Sequence, residues 1–126
     1  MEKLKNKIVL IVDDEERNLF ALSSYLETLD MFVRTARNGE EALSMINAGP
    51  MPDIVLLDMM MPVMDGFETL AAMKKNGCLE KLPVLAVTAK AMKGDKEKCL
   101  EAGAWDYLSK PVDIRSLIEK MERYIS

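Results

Sequence analysis

The chain of 126 residues has no histidine, and its two cysteines, Cys78 and Cys99, form no C-x-x-C pair. That inventory excludes a zinc site and a Cys-His nucleophile, and any phosphohistidine the chain meets must belong to another molecule. Basic residues are in deficit: 17 Lys and Arg against 21 Asp and Glu give a formal net charge of -4. A nucleic-acid footprint needs clustered excess cation, so no direct nucleic-acid partner is expected. Long apolar runs are also lacking. The N-terminal one, Ile8 to Val12, is far too short for a signal h-region or a membrane span and leads straight into Asp13-Asp14-Glu15-Glu16. A cytoplasmic protein with no membrane partner is therefore expected. With no repeat, low-complexity tract or Gly/Ser/Pro-rich linker, residues 1–126 read as one domain.

What is present is an ordinary globular composition, 49% hydrophobic and 30% charged, arranged in two alternating textures. Short β-branched runs predict strands at Lys7 to Val12, Phe32 to Ala36, Asp53 to Leu57, Pro83 to Val87 and Asp106 to Ser109. Apolar spacing of three and four marks helices through Leu19, Leu22, Leu26 and Leu29, and through Ile114, Leu117, Ile118, Met121 and Ile125. Weaker helical patterns cover about Glu40 to Ala48, Phe67 to Asn76 and Asp95 to Ala102. Asn38 and Asp113 stand where N-caps are wanted, and Gly77 and Gly103 where helices end. Strands alternating with helices predict right-handed βαβ units and an α/β fold with a parallel sheet covered on both faces. In such sheets ligands bind beyond the carboxyl ends of the strands, where the strand order reverses.

Those strand ends carry chemistry. Asp13 and Asp14 follow the first strand, Asp58 the third, Thr88 the fourth, and Lys110-Pro111 the fifth. Each alone has an ordinary explanation as a cap, turn or solvated charge; together they collect three carboxylates, a hydroxyl and an ammonium on one rim. Two unit negative charges about 4 Å apart repel by roughly 4 kcal/mol at an effective dielectric of about 20, so the cluster calls for a cation. Oxygen-only ligands select a hard ion, and Mg²⁺, which combines one or two carboxylates with water and a phosphate, fits best. Phosphoryl transfer needs positive charge around the equatorial oxygens, which the ion and Lys110 would supply, with Thr88 donating to a third oxygen. Asp58 is left as the carboxylate free to attack and form an aspartyl phosphate.

Four of the 11 methionines, Met59, Met60, Met61 and Met64, crowd around that acid; Met61 and Met64 read as core filling. Pro62 and Asp65-Gly66 read as a loop and turn before the next helix. Trp105 is expected to be partly buried rather than a docking residue.

The stretches "LIVDDEERN", "LLDMMMPVMDG", "VLAVTA" and "YLSKPVD" resemble the receiver domain of two-component response regulators along essentially the whole chain. The resemblance implies a flavodoxin-like, three-layer (βα)5 fold with sheet order 2-1-3-4-5. It implies that Asp58 accepts a phosphoryl group from a histidine kinase or histidine phosphotransfer protein, and that Asp13, Asp14 and the Met60 carbonyl bind Mg²⁺ with Asp58. Thr88 and Lys110 would hold the phosphoryl oxygens, and Lys110-Pro111 would be a cis peptide. Tyr107 would be an aromatic switch that swings inward as Thr88 moves, changing the face built from the fourth and fifth strands and helices for a downstream protein. Beyond its own aspartyl phosphorylation and dephosphorylation, no enzymatic activity is implied. Met60 and Lys90 occupy positions that tune the phosphoryl lifetime.

The wording of "DDEERN" and "TAKAMKGDKEKCLEAGAWDYLSKPVD" resembles the receivers of hybrid histidine kinases particularly, so a receiver passing phosphate onward is an alternative role. A Mg²⁺-dependent hydrolase of the haloacid-dehalogenase class would need a second Asp two residues after the nucleophile, where Met60 stands. A nucleotide-binding module would need a Gly-rich phosphate loop, and neither G-x-G-x-x-G nor G-x-x-x-x-G-K-[ST] occurs.

Overall fold

The computed structural model describes residues 2–89 and 94–125. Five strands, β1 (Ile8–Val12), β2 (Phe32–Ala36), β3 (Ile54–Asp58), β4 (Val84–Thr88) and β5 (Asp106–Ser109), form one parallel sheet in the order β2-β1-β3-β4-β5. Helices α1 (Glu16–Glu27), α2 (Gly39–Ala48), α3 (Gly66–Lys75), α4 (Asp95–Glu101) and α5 (Ile114–Tyr124) connect and follow them. This is the flavodoxin-like three-layer arrangement expected from the resemblance.

The strand sequences explain their places. β3 and β4 are buried at every residue, and β1 at all but its first, which suits unbroken aliphatic runs in the centre of a sheet covered on both sides. β2 and β5 carry Arg34, Thr35, Asp106 and Ser109 and form the two edges. Alternation sends Leu10, Val12, Val55, Leu57, Val84 and Ala86 to one face, where α2, α3 and α4 pack. Val9, Ile11, Ile54, Leu56 and Leu85 go to the other, against Leu19 and Leu26 of α1 and Leu117 and Met121 of α5. Each such aliphatic side chain, buried completely, contributes about 1.5–3 kcal/mol, so β1, β3 and β4 are the rigid centre from which the rim residues project.

Local chemistry sets the helix starts. Asn38 caps α2 by accepting from the Glu41 amide at 2.9 Å, and Asp65 and Glu68 form a reciprocal capping box on α3. Asp113 stands at the N-cap of α5 as expected, but its carboxylate accepts from the Ser116 hydroxyl at 2.9 Å and makes no cap to the backbone. Leu29 lies beyond the end of α1, in the turn that leads to β2.

β3 and β4 each begin one residue later than their sequence pattern suggests and end on Asp58 and Thr88 themselves. Asp53 is spent before the strand, its carboxylate accepting from the Ile8 amide at 2.7 Å, and Pro83 brings no amide to the ladder. The β3–α3 connection then folds back tightly. A Cβ on Gly66 would lie 2.5 Å from the Met59 sulfur and 2.6 Å from the Met59 Cα, so only glycine admits this approach beside the end of β3.

Candidate functional site

The sheet order reverses between β1, which pairs with β2 on one side and β3 on the other, and the crevice beyond their carboxyl ends holds the acids. Asp58, the last residue of β3, is only 3% exposed, and Asp13, just past β1, only 4%; Asp14 is exposed. One carboxylate oxygen from each of Asp13, Asp14 and Asp58 lies within 4.8 Å of the others. Lys110, just past β5, places its Nζ 3.3 Å from Asp58 Oδ2 and 3.4 Å from Asp13 Oδ2. The Lys110–Pro111 peptide that follows is cis.

Each acid is oriented by its own chain. The Met60 amide donates to Asp58 Oδ1 at 3.1 Å, and the Glu15 amide to Asp13 Oδ1 at 2.9 Å. Asn18, on the first turn of α1, adds its amide to Asp13 Oδ2 at 3.3 Å. Sequence reasoning assigns Asn18 no role; its place in the first turn of the helix that follows the acidic pair is the signal that points to one. A cavity of about 540 Å³ opens here, lined by Asp13, Asn18, Asp58, Lys110 and Pro111 among others.

The electrostatics are uneven. Burial pushes the Asp58 carboxyl up from its ordinary 3.8; the Met60 amide and Lys110 oppose the rise and Asp13 adds to it. Burial also disfavours the Lys110 ammonium, but Asp58 and Asp13 outweigh it and lift Lys110 above its ordinary 10.5. Asp58 and Lys110 thus differ in how well their pairing offsets burial. A single ammonium faces two carboxylates, so the cation gains twice while the acids share it. The cluster lacks positive charge.

Thr88 ends β4 beside this crevice, 7% exposed, and its Oγ1 is buried without a hydrogen-bond partner among the described residues. Buried hydroxyls are nearly always bonded, so an unsatisfied one at a site rim is a place for a ligand atom. The oxygen-only set of carboxylates fits a hard divalent ion such as Mg²⁺, and the orphaned hydroxyl with the shared ammonium fits an anionic group beside it.

Tyr107 lies on β5, half-buried, opposite Ala86 of β4 and on the sheet face that Thr88 shares. Met60 is 70% exposed at the rim, while Met59 and Met61 are buried and Met64 half-buried. Trp105 is half-buried as expected, its Nε1 donating to the Leu79 carbonyl at 2.9 Å. Lys90 lies outside the described residues.

Fold and rim together define a doubly wound α/β protein with an acidic pocket at its topological switch point. The family model of the response regulator receiver domain matches residues 9–122, and the chain belongs to that family. The polar-differentiation response regulator DivK of Brucella anthropi is 36% identical over 119 residues, covering 94% of this chain and 96% of that protein. The response regulator PleD of Caulobacter vibrioides is 43% identical over 105 residues, 83% of this chain but 23% of PleD. Among solved structures, the receiver domain of Saccharomyces cerevisiae Ssk1, crystallised with the histidine phosphotransfer protein Ypd1, superposes with a TM-score of 0.86 at 30% identity. The match covers 96% of this chain and 90% of that one. The protein is a phosphoacceptor signalling module of the two-component type. No helix of the described residues is long and apolar enough to cross a membrane.

Proposed function

We propose that Asp58 is the phosphoacceptor of this receiver, in one signalling unit spanning residues 1–126. The observation that carries the reading is a nearly buried carboxylate at a rigid strand end, with two further acids, a shared ammonium and an orphaned hydroxyl around it. An Asp58 oxygen attacks phosphorus, the bond from phosphorus to the donor nitrogen breaks, and the leaving imidazole keeps that electron pair and takes a proton from solvent. Asp13, Asp14, Asp58 and the Met60 carbonyl would hold Mg²⁺, which when bound neutralises charge on the transferring group. Lys110 turns from Asp13 and Asp58 to a phosphoryl oxygen, and Thr88 donates its unpartnered hydroxyl to another.

The donor class is a histidine kinase or a histidine phosphotransfer protein, a reading supported by the likeness to a receiver that binds the latter. The same residues carry the chain's own phosphorylation from small donors and the later hydrolysis, with Met60, exposed at the rim, beside the water path. Thr88 moving to the phosphoryl group couples to Tyr107 and so changes the β4–α4–β5–α5 face for a downstream protein. A phosphate relayed onward, as in hybrid kinases, uses the same acceptor. The rival hydrolase reading fails because the position for its second acid is Met60, whose backbone amide serves Asp58.

Incubation with acetyl phosphate and Mg²⁺ should add one phosphoryl group by intact-mass analysis, and Asp58→Asn should add none. An unmodified wild type would overturn the reading.

A further inference from the structure

Along the seam of β5 and α5 lies a second polar cluster that phosphoryl chemistry does not use. Lys120 Nζ donates to Asp106 Oδ1 at 3.0 Å and to the Tyr107 carbonyl at 2.8 Å, and stands 5.1 Å from the centre of the Tyr107 ring. Lys96 of α4 also places its Nζ 5.6 Å from the centre of the same ring. Ammonium groups at these distances are attracted to the electron-rich face of an aromatic ring.

Lys120 is itself anchored. Asp106 receives the Tyr124 hydroxyl at 2.9 Å and the Tyr107 amide at 2.8 Å as well, and lies 3.8 Å from the Arg123 guanidinium. An ammonium fixed to a backbone carbonyl and a carboxylate cannot follow the ring if it turns away. A cavity of about 210 Å³, lined by Met59, Thr88, Asp95 and Cys99, lies on the sheet face that Tyr107 shares, and Tyr107 does not line it. The ring thus has one place with two cationic contacts, and a cavity among the described residues lies nearby beside Thr88.

We propose that Lys120, assisted by Lys96, is a positioning residue for Tyr107: the two ammonium groups bracket the ring from α5 and α4 and keep it out of the cavity beside Thr88. Lys120 is the stronger half because its Nζ is held by two acceptors and mostly shielded, whereas Lys96 is exposed and screened by solvent. The bracket sets how far Tyr107 favours its present place before any phosphoryl group arrives, and so the basal activity of the output face. This deepens the proposed role of Tyr107 and rests on it.

Side-chain coupling constants and ring NOEs in the unphosphorylated protein measure the Tyr107 rotamer ratio directly. Lys120→Met, which keeps the stem and removes the charge, should shift that ratio by about three- to ten-fold toward the cavity, the range expected from losing one shielded cation–ring contact. Lys120→Arg should hold it near the wild-type value, and Lys96→Met should move it the same way by a smaller factor. A merely structural Lys120 would lower the melting temperature in Lys120→Met and leave the ratio unchanged, and that result overturns the proposal. If Lys120→Met does not fold, Lys96→Met decides, an unchanged ratio again being fatal. Phosphoryl addition to Asp58, followed by intact mass on the same samples, separates the two ideas: its absence strikes the acceptor reading, whereas normal addition with an unmoved ring strikes only the bracket.

Discussion

Asp58 and Asp106 are both shielded carboxylates near strand termini beside a lysine, and they are solved in opposite ways. Burial would raise the Asp106 carboxyl, but the Lys120 ammonium, the Tyr107 amide and the Tyr124 hydroxyl outweigh it, so the carboxyl sits below the ordinary 3.8. Asp58 has the Met60 amide and a share of Lys110 among the described residues, and burial pushes it the other way. A carboxylate offers about four lone-pair sites. Asp106 has three of them bonded by its own chain, with the Arg123 guanidinium nearby, and Asp58 has two bonded among the described residues. A closed cluster fixes structure, while an open one short of positive charge is where a ligand gains most.

The contrast breaks hardest at Lys110. Lys110→Ala leaves Asp13 and Asp58 buried together without their cation and should destabilise the fold by about 3 kcal/mol in metal-free buffer. Mg²⁺ should restore much of that loss because it binds only the folded site, whereas Lys120→Met, whose acidic site is intact, should gain no more from the ion than the wild type does. Paired urea titrations with and without Mg²⁺ measure both. Mg²⁺ affinity should largely survive in Lys110→Ala, while phosphorylation should no longer change partner binding.

Asp106→Asn comes next, with an expected loss of about 1–3 kcal/mol at neutral pH from the charge-assisted bonds it removes. Because the folded carboxyl lies below 3.8, its contribution is present above the unfolded value and fades as pH falls through the folded one. The gap between wild type and variant should therefore close in acid, below about pH 4, as thermal melts across that range would show. A gap constant with pH would mean the cluster contributes shape and not charge.

Asp58→Asn sharpens the comparison with a smaller effect of opposite sign. Removing a charge that burial disfavours should stabilise the metal-free protein by about 1 kcal/mol, read as a raised urea midpoint, even as phosphoryl addition is lost. Asp58 then costs stability where Asp106 supplies it.

Much of this was legible before any coordinates. The aliphatic runs of β1, β3 and β4 fit buried central strands, and the residues after those strands and after β5 name Asp13, Asp14, Asp58, Thr88 and Lys110 as the rim. Asn18 is not legible there, because an asparagine in a first helical turn has the look of a solvated residue and only the fold brings its amide within 3.3 Å of Asp13. Asp53 fits the strand pattern because its bond to the Ile8 amide spans 45 positions in the chain and leaves no local signal.

The sequence by itself determined the alternation of strand and helix, the burial of the centre and the residue types at the rim, because periodicity and the cost of burying charge act locally. Only the tertiary structure decided how those groups share their charges. One ammonium bridges Asp13 and Asp58, the Thr88 hydroxyl is left unanswered, and Lys120 reaches the β5 edge to grip Tyr107. These relations join residues far apart in the chain, and their energies depend on distances of a few ångströms that no local pattern encodes.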